Sequence, residues 1–300
     1  MSIMTQLEFE LNFSNSEKEI AKYILNNGEA VLEQSVQQLA RSTYTSPATI
    51  VRLCQKLGLQ GYLDFKIKYS AELQYDSSKK RTDVNFPFEE NASYKEITKS
   101  LANVYQETIE DTLQLIDYKQ LDIISQALQK AERIYIFCCG NSMLAGLNFQ
   151  HKMLRIGKLV EMRSLTGEQV FLSYNATKKD IAIVISYSGE TPEVIECTKQ
   201  LHKNHVSIIA ITSLGENQLS KYASYTLNTS SREKIFNKIA PIASFTSMTY
   251  LLDLLFSCIF NNDYQKNYQR KIGQDRTNDL RHPLLSPINE EIYETNNSNK

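Results

Sequence analysis

Apolar residues follow two different rhythms along this chain. Over the first 75 residues they recur at helical spacing, broken only by Gly28, Gly58 and Gly61, and nothing alternates in the manner of a strand. Ser14 stands where it can cap a first helix whose Ile20, Ala21, Ile24 and Leu25 share a face and which Asn26-Asn27-Gly28 ends. Further helices are predicted over residues 35–42, 46–57 and 62–73. From Gln74 the periodicity fades through Ser77-Ser78-Lys79-Lys80-Arg81 and Pro87, which reads as a linker. Residues 94–116 form a long amphipathic helix with Ile97, Leu101, Val104 and Leu113 near one face, fit to pack on the second domain or on a partner subunit.

Beyond it the rhythm changes. Short apolar runs at 134–138, 159–162, 181–185, 207–211 and 225–227 alternate with helical stretches at 118–131, 141–156, 167–174, 192–202, around Gln218, and at 241–260. That alternation predicts an α/β fold, a parallel five-stranded sheet with helices on both faces. The chain is divided accordingly into an all-α helix-turn-helix domain (1–75), a linker (76–92), an α/β domain (93–262) and a polar tail (263–300). Pro283 and Pro287 lie in that tail, which has too few large apolar residues to fold alone; at least its last ten residues are expected to be disordered.

Composition agrees with two domains, since 300 residues with 42% apolar side chains can build more than one core. Thirty-three basic against 34 acidic residues give a net charge of -1, which excludes a chain that coats nucleic acid by bulk charge. Residues 36–70 differ, with Arg41, Arg52, Lys56, Lys66 and Lys68 against Asp64 alone. The first 13 residues include Glu8 and Glu10 and lack the pattern of a secretory signal. The most apolar helical stretch, 248–260, is too short to cross a bilayer and carries Asp253, so no membrane association is expected. Scattered cysteines (Cys54, Cys138, Cys139, Cys197, Cys258) fit a reducing cytoplasm, with Cys138 and Cys139 read as core and turn residues. His151, His202, His205 and His282 form no metal-ligand pattern.

Two places carry chemistry. In the first, the strand at 181–185 runs into Ser186-Tyr187-Ser188-Gly189-Glu190-Thr191, and Pro192 then opens a helix. Ser186, Ser188 and Thr191 would surround the positive end of that helix, with Gly189 letting backbone approach an anion; an ordinary hydroxyl-capped turn has the same sequence. Gly140, Asn141 and Ser142 follow the preceding long strand but lack the repeated glycines of a dinucleotide fingerprint, so no nicotinamide cofactor is expected. In the second place, Leu39, Ala40, Ile50 and Leu53 sit where two helices meeting at a tight turn need small or apolar contacts, and Ser46 with Pro47 starts the second helix sharply. Its exposed residues would be Ser46, Ala48, Thr49, Arg52, Gln55 and Lys56, with Arg52 suited to a base edge and Thr49 to a phosphate or base. A helical hairpin with a solvated basic face is the plainer reading. Tyr44 occupies the turn position where glycine is usual, so the turn either accepts a non-glycine backbone or is one residue longer.

Taken together, Glu17-Lys18-Glu19-Ile20-Ala21-Lys22-Tyr23-Ile24, Leu39-Ala40 and the run from Ser46 to Lys66 resemble the N-terminal domain of the RpiR/MurR family of bacterial transcriptional regulators. Through Gly140-Asn141-Ser142 and Ser186-Tyr187-Ser188-Gly189-Glu190-Thr191 the second half resembles their sugar-isomerase (SIS) domain, and the likeness covers roughly residues 5–262. It implies a homodimer or homotetramer that binds operator DNA, senses a sugar-phosphate effector and controls carbohydrate metabolism genes. By the same resemblance Gly140, Asn141, Ser142, Ser186, Ser188, Gly189, Glu190 and Thr191 would form the phosphosugar site. Arg232, Lys234 and Lys238 lie near the last helix, where relatives often carry basic residues, while Ser244-Phe245 departs from their usual Ser-Arg. The alternative is a phosphosugar isomerase or lyase, which would need a general base. Glu168, Glu190, Glu193, Glu233 and His151 are the candidates, but no two have a spacing that marks catalysis, and an enzyme has no use for a helix-turn-helix. A non-enzymatic regulator is therefore expected.

Overall fold

The computed structural model describes residues 13–78, 81–165 and 167–278, together with Ile3, Gln6 and Leu7. The first part is helical: α1 (Asn15–Asn27), a 3₁₀ segment (Gly28–Glu33), α2 (Val36–Ser42), α3 (Pro47–Lys56) and α4 (Tyr62–Ser78). Local chemistry sets these starts. Ser14 and Ser35 each close a capping box, with Glu17 and Gln38 respectively, and Ser46 accepts the Thr49 amide while Pro47 fills the first turn. Ile20, Ala21, Ile24, Leu39, Ala40, Ile50, Leu53, Phe65 and Tyr69 share one buried core, and truncating any one of its large aliphatic residues costs about 2–5 kcal/mol. Helix α4 continues five residues past the predicted end, into the stretch read as linker.

After the linker come α5 (Tyr94–Gln114) and α6 (Tyr118–Lys130), then β1 (Ile134–Cys138), α7 (Ser142–Arg155), β2 (Val160–Glu161), α8 (Glu168–Asn175), β3 (Ile181–Ile185) and α9 (Pro192–Lys203). The rest is β4 (Ser207–Ser213), α10 (Gln218–Tyr222), β5 (Tyr225–Thr229), α11 (Ile242–Asn262) and α12 (Tyr264–Asn278). All strand pairs are parallel, in the order β2-β1-β3-β4-β5. Both faces are covered, as the unbroken apolar runs require. Ile136, Ile183 and Ile209 pack in one core with residues of α6, α7 and α11, and Phe137, Val184 and Ile208 pack in the other with residues of α8 and α9. Strand order reverses between β1 and β3, so the turns that follow those two strands flank the crevice where such sheets bind ligands.

Several expectations change. Helix α5 packs on α11 through Val104, Thr108 and Thr112, with Thr112 Oγ1 2.7 Å from Ser247 Oγ, while Leu113, assigned to the buried face, is 45% exposed. Helix α11 is longer than the predicted apolar stretch and is long and apolar enough to cross a membrane by length and composition. Its buried side, including Leu251, Leu252, Leu255 and Ile259, fills the core beside the sheet, and Asp253 pairs with Lys152 of α7 at 2.5 Å. Within the stretch read as a polar tail, α12 forms and docks: Asn267 is buried and donates to the carbonyls of Ile259 and Phe260 at the end of α11, and Arg270 lies over Gly157. The last ten residues, Pro283 and Pro287 lie outside the described residues.

The segment after the linker's start is stitched to the sheet domain. Val84 is buried with Val104 and Ala243, and buried Asn85 receives the Lys234 amide at 2.7 Å while its own carbonyl receives the Ile239 amide at 3.0 Å. Arg232 donates to Glu107 and to the Thr82 carbonyl, both at 2.7 Å, and Glu107 accepts the Thr82 amide. Nearby, burial pushes the Asp111 carboxyl up despite the neighbouring Arg232 and Arg81.

Candidate functional site

Helices α2 and α3 meet at an unextended turn. Tyr44 takes φ 52°, so the turn keeps its ordinary length and accepts a left-handed non-glycine residue. On the exposed side of α3 lie Ser46, Ala48, Arg52, Gln55 and Lys56, with Thr49 half-buried, and the Ser46 and Thr49 hydroxyls are 2.9 Å apart.

Sequence reasoning missed what stands beneath this face. Glu17 of α1 is fully buried and holds Arg52 Nε at 3.3 Å and Lys56 Nζ at 2.7 Å. Burial raises the pKa of that carboxyl, but hydrogen bonds from Lys56 and Ser14 overcome it and bring the value down to about 2. The carboxylate therefore stays ionised across the physiological range and fixes both cations. The other basic residues divide: Lys66 donates to the Leu32 carbonyl and Lys68 pairs with Asp64, whereas Arg41 is exposed.

In the sheet domain the predicted anion-site residues occupy the ends of β1 and β3, but their hydroxyls mostly serve the turns themselves. Ser142 donates to the Cys139 carbonyl at 2.7 Å; Ser186 is buried, lies 2.9 Å from the Thr191 hydroxyl and accepts the Gly189 amide. Gly140 takes φ 60° and is exposed beside exposed Asn141. Gly189 takes φ 65°, and a Cβ there would collide with the Asn217 side chain, so glycine is needed at this point. Glu190 turns to α10, accepting both the amide and the side chain of Gln218.

Only Ser188 of the predicted set borders the large cavity, which measures about 720 Å³. It opens at the carboxyl ends of β3, β4 and β5, with Ser213, Ser231, Lys234 and the Tyr187 and Phe236 rings also at its edge. Lys234 is exposed there. Arg232 also lines the cavity, but its guanidinium is engaged by Glu107 and Thr82. Glu233 is buried, accepting the amide and hydroxyl of Ser244 at the start of α11 and pairing with Lys238 at 2.6 Å. Beside this region, Gln169 brackets the end of β1, accepting the Cys138 amide and donating to its carbonyl where short β2 no longer reaches. Burial pushes the Cys54 and Cys138 thiols up to about 12 and Cys197 up to about 11.

Comparison with known proteins follows the same division. Residues 1–76 match the helix-turn-helix domain of the rpiR family, and residues 127–258 match the SIS domain. An HTH-type transcriptional regulator of Clostridium perfringens is 29% identical over 274 residues, covering 91% of this chain and 97% of the relative. A second HTH-type regulator, YbbH of Bacillus subtilis, is 30% identical over 250 residues, 83% of this chain and 87% of the relative. Among solved structures, the Vibrio vulnificus NanR protein complexed with ManNAc-6P shares 26% identity at TM-score 0.57, covering 91% of this chain and 97% of that one. The sugar isomerase domain of a Sphaerobacter thermophilus RpiR transcription factor, 14% identical at TM-score 0.54 over 60% of this chain and 98% of its own, shares the fold.

Proposed function

The chain belongs to the RpiR family of helix-turn-helix transcriptional regulators with a SIS domain, and from that footing we propose that a sugar phosphate bound at the ends of β3, β4 and β5 alters how α3 holds operator DNA in the cytoplasm. The cavity beside Ser188 is the observation that carries the ligand half of this reading, because it joins hydroxyls and the exposed Lys234 ammonium group to aromatic edges, the chemistry that suits a phosphate bearing a sugar. NanR, a relative of the same layout, is known with a sugar phosphate bound. Gly140, Asn141, Ser142, Ser186, Gly189, Glu190 and Thr191 shape the neighbouring crevice. The DNA half rests on α3, with Ser46, Ala48, Thr49, Arg52, Gln55 and Lys56 facing the duplex.

The link between the halves is residues 82–86, which are hydrogen-bonded to the same loop, 230–239, that walls the cavity. The protein acts as a homo-oligomer, for which the exposed Leu144, Leu147 and Leu154 on one face of α7 offer an apolar surface. It is not an isomerase or lyase in this reading: Glu190 is committed to Gln218 and Glu233 to Ser244 and Lys238, and Glu168, Glu193 and His151 do not border the cavity.

Thermal shift with a panel of hexose, pentose and amino-sugar phosphates tests the assignment. One compound is expected to stabilise the wild type, and Ser188→Ala and Lys234→Ala should each weaken its binding about tenfold, the usual loss for a hydrogen bond to a charged group, while operator affinity without ligand stays unchanged. A stabilisation that both variants retain in full places the ligand elsewhere.

A further inference from the structure

Tyr44 is held in an unfavourable backbone conformation and gives the protein nothing visible in return. Helix α2 ends in a paired-bond cap: the Thr45 amide reaches back to the Ala40 carbonyl at 2.9 Å, and the Tyr44 amide reaches the Arg41 carbonyl at 3.2 Å. This arrangement puts the intervening residue, Tyr44, in the left-handed region at φ 52°, where glycine is favoured because a Cβ crowds the backbone. Its two neighbours are turned inward. Buried Thr43 donates to the Leu39 carbonyl at 2.9 Å, and its hydroxyl is also 2.9 Å from that of Thr45. The Tyr44 side chain, by contrast, is 98% exposed.

A strained residue whose side chain packs against nothing directs attention to what the protein binds. Tyr44 stands two residues before Ser46, the cap of α3, and three after Arg41, which is exposed on α2. From there a phenol reaches outward beside the helix start that faces the duplex. Nucleic-acid backbone is the partner whose chemistry suits it, because a neutral hydroxyl donates to a phosphate oxygen at the groove edge without adding charge. We infer that the Tyr44 hydroxyl is a phosphate contact that seats the turn on one edge of the major groove. This rests on the reading that α3 faces DNA.

Three variants of the full chain decide it. Tyr44→Gly removes the side chain and relieves the backbone, so amide hydrogen exchange in α2 and α3 should slow while DNA affinity falls about fivefold or more. Tyr44→Phe keeps the ring and should lose a similar factor. Because a phosphate carries no base identity, both losses should appear with the operator and with unrelated duplex DNA alike. Unchanged affinity in either variant overturns the inference, as does faster exchange in Tyr44→Gly, which would reveal a role inside the protein. Arg52→Ala separates the two levels: if it too leaves operator binding intact, the assignment of α3 falls, whereas failure of the tyrosine variants alone removes only this contact.

Discussion

Arg52→Ala is expected to abolish specific operator binding while leaving the chain folded and its ligand response in place. Arg52 is fixed by Glu17 through Nε alone, and its side chain remains 61% exposed on α3, so its terminal nitrogens can present a fork to a base edge. One such bidentate contact discriminates by about 1–3 kcal/mol, and in the proposed homo-oligomer two copies on paired half-sites double it, giving a loss of roughly thirtyfold to beyond ten-thousandfold. The fold should tolerate the change. Lys56 and Ser14 still hold Oε2 of the buried Glu17 carboxylate, so it stays paired, and the loss of the Arg52 bond to Oε1 should cost about 1–3 kcal/mol. Arg52→Lys sharpens the test, since a lysine restores charge without the planar fork: binding to unrelated DNA should recover and operator preference should not. Anisotropy titrations against an operator selected from random duplexes and against a scrambled control would measure both, and an unaltered preference in Arg52→Ala removes α3 as the reading helix.

The second large effect is a loss of communication. Asn85→Ala should leave ligand binding and ligand-free operator binding near wild type yet erase the change that ligand makes to operator affinity. Its side chain bonds the Lys234 amide, and a shorter side chain cannot, while the backbone bond to Ile239 survives and keeps the segment in place. Coupling between two sites is commonly worth about 1–3 kcal/mol, a factor of roughly 5–150, and the variant should retain less than about twofold. Operator titrations with and without the stabilising sugar phosphate read this directly. A full wild-type response in Asn85→Ala would mean that residues 82–86 do not carry the signal.

The sequence revealed the scaffold wherever one stretch of chain decides its own shape. Strands β1 and β3 were read to the residue because five consecutive apolar positions end at turn residues, and the starts of α1 and α3 followed from Ser14 and Ser46. What escaped depends on partners far apart in the chain. Glu17 lies 35 and 39 positions from Arg52 and Lys56, and only the packing of α1 on α3 makes it their anchor. Helix α12 has no apolar stripe to announce it, since Asn267 and Arg270 dock it through polar groups. The phosphosugar set was drawn from the turns after β1 and β3, which carry a recognisable run of glycine and hydroxyls. Ser213 ends β4 and Ser231 follows β5 with no such signature, Lys234 stood out only through the resemblance, and Asn85 enters from a segment that resembles any linker.

The buried carboxylate under α3 has a further consequence, for ionic strength. Of the five basic residues between positions 36 and 70, Lys66 and Lys68 are engaged elsewhere in the domain, which leaves Arg41, Arg52 and Lys56, with Glu17 drawing on the last two. Each phosphate neutralised frees about 0.9 counterion, so the logarithm of the binding constant should fall with the logarithm of salt at a slope no steeper than about -3 per domain, where the residue count alone gives nearer -5. Such a protein would grip its operator by fit more than by charge, and a cell that concentrates potassium under osmotic stress would dislodge it less than it would a more basic regulator.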